Sequence, residues 1–535
     1  MEKTSSTFNI KRHCNGTKIS RWCIFVSLCF LANFFSRVKS MPLCGDKSCI
    51  IKTSRNLLDE ENSISIGQGV KLDDLELHID STILAPMKAS ELRNYDELLS
   101  YEDVPDNSYV YHFIRKMPKG GDLHIHELSM VNIAWVVSEL TYLPDLYYCD
   151  TRDGKFVRYR YSDQIPSKEH FCNDSWISVT ERRKEMGVTD FDKMLYDKMT
   201  LEYKRQGAKM AWEKFIGAIA CVLDLIYSEV GFRPYFKQAL TEVYEDNVLY
   251  VEVRAEMLPI LRKNGKSYPR EETLRWFMKA TKEFKEANPG FIGAKFILIS
   301  VRSKAKEAVE SDIKTAMALH QKYPSHLIGY DIAGYENNGR PLNEFLDILF
   351  IPSQNGLSLP FFFHAGETKR FGDTDENILF AILLNTTRIG HGFALIKHPL
   401  LMDMVKQRNI VIEVNPISNQ VLNLVSDMRN HPGVVFFSNG LPVVICSDDP
   451  APWKTSGLSY DYHAAFMAFT REKDGLEVLK EMSRNGIKYS TMSEDEKKNA
   501  FNTWEQKWDE FITSFQESET FASAKNLQRL DHEDL

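Results

Sequence analysis

The sequence has no excess of positive charge and no low-complexity tract. Its 535 residues carry a formal net charge of −8, and 43% of them are apolar. Without a basic footprint, binding to nucleic acid or to an anionic lipid surface through phosphate charge is disfavoured. The chain is long enough for a folded core of ~250 residues or more, with additions around it. We therefore expect a small soluble molecule, and not nucleic acid, as the partner.

Long apolar runs are also scarce, and the one that stands out lies near the N-terminus. Residues 22–32 follow four basic residues and form a run long enough for a signal-peptide core but short for a membrane span. Small residues precede Met41, so we predict a signal peptide over residues 1–40 and a secreted chain without a membrane span. An uncleaved signal anchor is the alternative, which the polar residues after the run disfavour.

Cysteine is sparse, with nine in the whole chain. Cys149 and Cys172 bracket a polar, aromatic-rich stretch and are predicted to form a disulfide in an oxidising compartment. Cys44 and Cys49 are close enough in sequence to pair with each other, or across a dimer.

The other cysteines of the mature chain and two glycosylation motifs complete the expectations for a secreted protein. Cys221 and Cys446 lie in apolar runs and are predicted to be buried free thiols. Asn173 and Asn385 begin Asn-x-Ser/Thr motifs and are predicted glycosylation sites, although a motif shows only that attachment is permitted.

Eight short apolar runs alternate with segments of helical spacing. The runs cover residues 122–126, 248–253, 294–300, 328–334, 360–366, 388–393, 411–416 and 443–447. Nearly continuous apolar strands are typical of a sheet buried on both faces. The pattern predicts an α/β fold, a (β/α)₈ TIM barrel over residues 109–515.

Three additions to the barrel are predicted. Residues 41–108 have charged, helix-like patterning, strongest over 57–75 and 87–99, and are predicted to form an N-terminal helical extension. The gap between the first two runs is longer than one helix requires, so residues 140–205 are predicted to be an insertion that contains the disulfide. Residues 516–535 are polar and are predicted to be a flexible tail.

Histidines and carboxylates stand where the predicted strands end. His124 and His126 end the first run with a spacing that places both on one side of the strand, although this pair alone is equally typical of a structural role. His364 ends the fifth run and Asp448 follows the eighth. Because these strand ends meet at one face of a barrel, three histidines and an aspartate predict a Zn²⁺ site with a position open for water.

Three more residues at the same strand ends suit proton transfer and ligand binding. Zinc lowers the pKa of a water that it binds to ~7, and His391 and Asp448 would flank that water. Glu367 is placed to donate a proton if its surroundings raise its pKa. Asp449 is placed to contact a heterocyclic nitrogen. The alternatives are a core histidine for His391 and a helix N-cap for Asp449.

A second metal is not expected. Two-metal barrels of this kind add a bridging carboxylated lysine at a middle strand, and none of the third, fourth or fifth runs ends in lysine.

Several blocks of this sequence resemble the adenosine deaminases, barrel enzymes of the amidohydrolase superfamily. The blocks are residues 117–126 (MPKGGDLHIH), 364–368 (HAGET), 388–392 (RIGHG) and 447–450 (SDDP). Residues 117–121, 245–250, 415–422 and 457–461 are more similar to the secreted branch, the adenosine deaminase-related growth factors or type 2 adenosine deaminases. The likeness covers residues from about 45 to 515.

The resemblance implies one Zn²⁺ per subunit, held by four side chains. These are His124, His126, His364 and Asp448. It further implies that Glu367 protonates purine N1, that His391 orients the hydroxide, that Asp449 contacts N7 and that the backbone of Gly334 meets N3.

The sugar contacts are where the sequence departs from the family. Cytosolic adenosine deaminases have an aspartate two positions beyond the second histidine, and this chain has Leu128 there. The secreted branch often has an aspartate directly after that histidine, and this chain has Glu127. We expect Glu127 and Trp212 at the ribose end.

The resemblance thus implies a secreted zinc-dependent deaminase that converts adenosine and 2′-deoxyadenosine to inosine and deoxyinosine with release of ammonia. It also implies a homodimer built through the N-terminal extension, a receptor-binding insertion and growth-factor activity through depletion of adenosine, with a cell-surface receptor or a glycosaminoglycan as partner. An AMP deaminase is the nearest enzymatic rival, but no basic cluster for phosphate surrounds the motifs. A catalytically silent growth factor on the same fold is the other alternative.

Overall fold

The structure is a computed structural model that describes residues 44–93, 108–201, 207–455 and 457–517. The predicted signal peptide, and the predicted tail from residue 518 onward, lie outside these ranges. The chain divides into two compact units, Met1–Glu60 and Glu61–Leu535.

The described part of the first unit contains a disulfide at the start of a helix. Cys44 is bonded to Cys49, so of the two predicted pairings the structure has the one within the chain. Oδ1 of Asp46 accepts the backbone N–H of Cys49 at 2.9 Å. This bond satisfies one of the N–H groups that a helix start leaves free.

Thirteen strands occur in the described residues. They are β1 Asp122–His126, β2 Leu146–Asp150, β3 Val157–Tyr161, β4 Ile177–Ser178, β5 Tyr250–Ala255, β6 Ile260–Leu261, β7 Ser267–Tyr268, β8 Gly293–Val301, β9 Leu327–Ala333, β10 His364–Ala365, β11 Arg388–His391, β12 Val411–Val414 and β13 Val443–Ile445.

The α-helices of the same ranges number twenty. They are α1 Lys47–Asn62, α2 Asp74–Ile79, α3 Ala85–Arg93, α4 Tyr109–Lys116, α5 Ile133–Ser138, α6 Val179–Met186, α7 Val188–Met199, α8 Ala208–Ile226, α9 Phe232–Glu245, α10 Arg270–Ala287, α11 Lys306–Lys322, α12 Leu346–Leu349, α13 Ile351–Gln354, α14 Asn377–Leu383, α15 Pro399–Arg408, α16 Pro416–Val421, α17 Gly433–Ser438, α18 Ser459–Phe469, α19 Leu476–Lys488 and α20 Glu494–Glu517. None of these described helices combines the length and apolarity needed to cross a membrane.

Eight parallel strands form two four-stranded sheets whose outer strands meet. The sheet orders are β1-β5-β8-β9 and β10-β11-β12-β13. Parallel bridges connect Tyr330 with Phe361 and Ile125 with Asp448, at the two junctions between the sheets. This order and these junctions are those of a (β/α)₈ barrel, and all eight predicted runs contribute to it.

The fifth barrel strand is shorter than predicted. The run over residues 360–366 has regular pairing only at His364–Ala365. Pro360 has no N–H to donate and contributes only its carbonyl, which accepts the N–H of Tyr330 at 3.0 Å, while Phe361 makes the single bridge.

The described N-terminal extension is helical, and α3 follows the predicted span 87–99 as far as Arg93, whereas residues 94–99 lie outside the described residues. The predicted helical stretch 57–75 is interrupted between α1 and α2, where Gly67 adopts a φ of 90° that favours glycine. Within residues 61–93 the extension packs on the C-terminal helices. Glu76 accepts the indole N–H of Trp508 at 2.6 Å and pairs with Lys480.

The insertion between β1 and β5 has its own small sheet. Antiparallel β3, β2 and β4 form it, and α6 and α7 follow. The Cys149–Cys172 disulfide is present. Cys221 and Cys446 are buried free thiols, as predicted.

Candidate active site

The C-terminal ends of the barrel strands bring four ligand-type side chains together. One ligand atom from each lies within 4.8 Å of all the others, and the four residues are His124, His126, His364 and Asp448. Nε2 of His124 and Nε2 of His126 lie 3.2 and 3.3 Å from Oδ1 of Asp448. The four predicted ligands therefore form one cluster.

Polar atoms in this cluster have no protein partner. Nε2 of His124 and Oδ1 of Asp448 are buried and make no hydrogen bond within the described part of the chain. Unsatisfied buried polar atoms are costly and rare. Burial alone would lower the pKa of His126, but Asp449 and Asp448 outweigh it and raise that pKa to about 9. Burial lowers the pKa of His364 in the same cluster to about 4, so the unpartnered atoms, and not the pKa values, mark the cluster as a candidate metal site.

Two carboxylates that the sequence analysis missed orient the histidines. Nδ1 of His124 lies 2.8 Å from Glu413, and Nδ1 of His364 lies 2.6 Å from Asp331. Each carboxylate accepts an Nδ1–H, so each Nε2 keeps a lone pair for the cluster. The available signal was a charged residue inside an otherwise apolar strand, β12 for Glu413 and β9 for Asp331.

The carboxylates are themselves fixed by arginines inside the barrel. Arg254 donates to both Asp331 and Glu413, and Arg388 donates to both Glu413 and Glu252. All five residues have side chains with no exposed surface. We call Glu252, Arg254, Asp331, Arg388 and Glu413 the inner charge network.

Glu367 is buried beside the cluster with both carboxyl oxygens lacking a hydrogen-bond partner among the described residues. Burial raises its pKa well above the ordinary value, and the nearby carboxylates of Asp448 and Glu336 raise it further. Glu336, also missed from sequence, accepts the backbone N–H of Glu367 at 2.9 Å. Its surroundings therefore favour the protonated, uncharged form of Glu367.

His391 lies between Glu367 and Asp448. Its Nδ1 is 3.8 Å from Oε1 of Glu367 and its Nε2 is 3.7 Å from Oδ2 of Asp448. His391 and Asp448 have φ values of 63° and 60°, which non-glycine residues adopt at a cost that is often found at functional sites. A Cβ at Gly390 would lie 3.0 Å from Cε1 of His124, so this glycine permits the close approach.

Asp449 and Gly334 line the same cavity. Asp449 accepts a hydrogen bond from the Ser129 hydroxyl, and burial together with Asp448 raises its pKa to about 8. It does not start a helix, so the N-cap alternative is wrong. Gly334 has a φ of 103°, a backbone conformation that requires glycine.

Glu127 and Trp212, predicted to contact ribose, both line the cavity. Glu127 accepts hydrogen bonds from the Tyr227 hydroxyl and the Glu256 backbone, both at 2.9 Å, and burial raises its pKa to about 7. Trp212 stacks on Tyr335, and its indole N–H has no partner within the described ranges. That N–H is available to a ligand.

Fold and site together define a barrel hydrolase with a four-residue candidate metal site and an adjacent buried acid. The profile of the Adenosine deaminase family matches residues 189–506. His124 and His126 precede that range, so their place in the candidate site rests on the structure and not on the family match.

Curated relatives match nearly the whole chain. Adenosine deaminase 2 of Homo sapiens is 37% identical over 91% of this chain and 97% of its own length. Adenosine deaminase of Lutzomyia longipalpis is 36% identical over 86% of this chain and 92% of its own length.

Solved structures share the fold at low sequence identity. The N6-mAMP deaminase of arabidopsis aligns with a TM-score of 0.53 and 16% identity, covering 74% of this chain and 99% of its own. A cog1816 amidohydrolase from Burkholderia ambifaria, solved with bound Zn, aligns with a TM-score of 0.52 and 18% identity, covering 79% and 98%. The chain belongs to the adenosine deaminase family and is a hydrolytic deaminase.

Proposed function

We propose that this protein is a secreted, zinc-dependent deaminase of adenosine and 2′-deoxyadenosine, releasing ammonia and the corresponding inosine. The observation that carries the proposal is the cluster of His124, His126, His364 and Asp448 beside the unpartnered acid Glu367. The relatives named adenosine deaminase support the substrate.

The donor set fits one Zn²⁺. Three imidazole nitrogens and one carboxylate oxygen are ligands that zinc prefers, and the two unpartnered atoms would gain a partner. Zinc supplies the Lewis acidity that lets a water molecule act as a nucleophile at neutral pH.

The other side chains bind the purine and move protons. Protonated Glu367 donates to purine N1, which makes C6 more electrophilic. Burial and Asp448 raise the pKa of Asp449 to about 8, which favours the protonated form that donates a hydrogen bond to N7. Gly334 offers its backbone N–H to N3, and His391 orients the attacking oxygen.

The cavity favours a nucleoside over a nucleotide. Its described lining contains no lysine or arginine, whereas Glu127 and Glu256 lie along it. A phosphate beside Glu127 and Glu256 would meet carboxylates without a lysine or arginine from the described lining, which is unfavourable in a buried site. The cavity thus disfavours the AMP deaminase alternative.

Secretion, glycosylation and assembly are also part of the proposal. Two disulfides support an oxidising compartment, and Asn173 and Asn385 are exposed, so glycans would be accessible to water. Assembly as a homodimer through the extension, the receptor or glycosaminoglycan partner of the insertion and growth-factor activity rest on the resemblance alone.

The test follows conversion of adenosine to inosine by the purified mature protein, before and after chelation of zinc. We expect turnover that is lost with zinc and restored by adding it back. A folded, zinc-loaded protein that leaves adenosine unchanged would overturn the proposal and favour the catalytically silent growth factor.

A further inference from the structure

His391 is connected to a chain of buried hydrogen bonds that ends on a backbone amide. The N–H of Gly433 donates to Nδ1 of His431 at 2.8 Å. Nε2 of His431 lies 2.9 Å from Oδ1 of Asn419, and Nδ2 of Asn419 lies 3.1 Å from Nδ1 of His391. His431, Asn419 and His391 are all buried.

The donor and acceptor in each of these hydrogen bonds follow from the bond between Gly433 and His431. A backbone N–H can only donate, so Nδ1 of His431 must accept and carries no proton. Burial lowers the pKa of His431 to about 3, so the ring is neutral at physiological pH. Its single proton is therefore on Nε2, which donates to the oxygen of Asn419.

The orientation of the Asn419 amide follows from that bond. With its oxygen accepting from His431, its NH₂ group faces His391 and donates to Nδ1. The NH₂ group of Asn415 lies 3.2 Å from Nδ1 and 3.3 Å from Nε2 of His391, so it does not distinguish the two nitrogens, and Asn419 carries the assignment. An Nδ1 that accepts carries no proton, so the proton of neutral His391 is on Nε2.

We propose that Asn419 is a positioning residue that holds His391 in the Nε2–H tautomer. This N–H lies on the Asp448 side of the ring, with Nε2 3.7 Å from Oδ2 of Asp448. If the proposed function holds, His391 orients the attacking oxygen by donating a hydrogen bond to it. It does not remove a proton through Nε2.

The test measures the tautomer directly by magic-angle-spinning NMR of the zinc-loaded protein labelled with ¹⁵N-histidine. His391→Gln and His431→Gln assign the two rings. We expect a protonated Nε2 and an unprotonated Nδ1 for both residues. Nδ1–H on His391 in the unsubstituted protein would overturn the proposal.

Two variants separate positioning from a merely structural role. In Asn419→Asp both oxygens accept, so His391 should switch to Nδ1–H. The ring of His431 stacks on that of Phe469, with ring centroids 4.9 Å apart. His431→Phe keeps an aromatic ring there but removes the hydrogen bond to Asn419. The Asn419 amide can then rotate, so a mixture of His391 tautomers is expected. If Asn419→Asp fails to fold, the His391 tautomer in His431→Phe tests the proposal instead. An unchanged tautomer in the folded variant would contradict the proposal.

The kinetic readout has a matched control. Both variants should lower kcat for adenosine ~10–100-fold, as substitutions behind a site residue commonly do, with little change in KM. Gln420→Glu also places a carboxylate at a buried amide of the same helix, and it should leave the His391 tautomer unchanged. An unsubstituted protein that shows the Nε2–H tautomer but no deamination would refute the proposed function and leave the tautomer assignment standing.

Discussion

Two groups of buried charged residues lie next to each other in this barrel, and they differ in one respect. In the inner charge network each carboxylate and guanidinium meets a partner; for example, Glu252 accepts from Tyr250, Thr491 and Arg388. At the strand ends, Glu367, His124 and Asp448 keep atoms that no described protein group satisfies. Paired buried charges position other residues, whereas buried polar atoms without a hydrogen-bond partner indicate a ligand.

The largest expected effect is a fall in kcat when Glu367 is replaced. Glu367→Gln keeps the shape but removes the transferable proton, so kcat for adenosine should fall ~10²–10⁴-fold with the fold retained. Inosine formation measures this. Glu344→Gln, a half-exposed glutamate in surface ion pairs, is the control. Comparable turnover by Glu367→Gln and the control would remove Glu367 from the chemistry.

The pH dependence of the unsubstituted enzyme tests the same group. Because the pKa of Glu367 is raised, its active protonated form should persist at neutral pH, and kcat should fall about tenfold per pH unit only above that raised pKa. A glutamate of ordinary pKa would be deprotonated above pH ~4.3. A kcat that already falls between weakly acidic and neutral pH would argue against the raised pKa.

Breaking the inner charge network should lower the free energy of unfolding. Arg388→Met leaves Glu252 buried without its cation and Glu413 with Arg254 alone, and the free energy of unfolding should fall by about 3–5 kcal/mol in urea titrations. Arg182→Met breaks an exposed pair with Glu185 and should cost less than about 1 kcal/mol. Equal losses in the two variants would mean that burial does not distinguish the two pairs.

The disulfide of the insertion should stabilise without contributing to catalysis. Removing it with Cys149→Ser and Cys172→Ser should lower the free energy of unfolding by about 3 kcal/mol and leave KM for adenosine unchanged. The Cys44–Cys49 bond closes a shorter loop, so its removal should cost less. A large rise in KM on loss of the Cys149–Cys172 bond would place the insertion in substrate binding.

The smallest expected effect concerns the unpartnered indole. Trp212→Phe keeps an aromatic ring against Tyr335 but removes the N–H, so KM for adenosine should rise several-fold, equivalent to about 1 kcal/mol for one hydrogen bond. Steady-state kinetics with adenosine and with adenine, which has no sugar, would show whether the loss depends on ribose. An equal loss for both substrates would exclude a ribose contact.

The sequence predicted the barrel and the cluster because both follow from local patterns. A strand ending in His-x-His places two imidazoles on one side, and barrel geometry brings distant strand ends together. A charged residue inside an apolar strand marked Glu413 and Asp331, but the partners of these two residues and of Glu336 depend on which segments become neighbours, and no local pattern encodes that. The single helix expected over residues 57–75 is wrong: α1 ends at Asn62 and α2 begins at Asp74, with Gly67 at a φ of 90° in the connection.

The most direct test of the account is an anomalous-scattering map from crystals of the purified protein, collected on both sides of the zinc absorption edge. We predict one zinc peak per chain, about 2.0–2.1 Å from the histidine Nε2 atoms and bonded to Asp448, with no metal in the inner charge network. A zinc-replete protein with no peak among His124, His126, His364 and Asp448 would contradict the inference that the unpaired atoms are metal ligands.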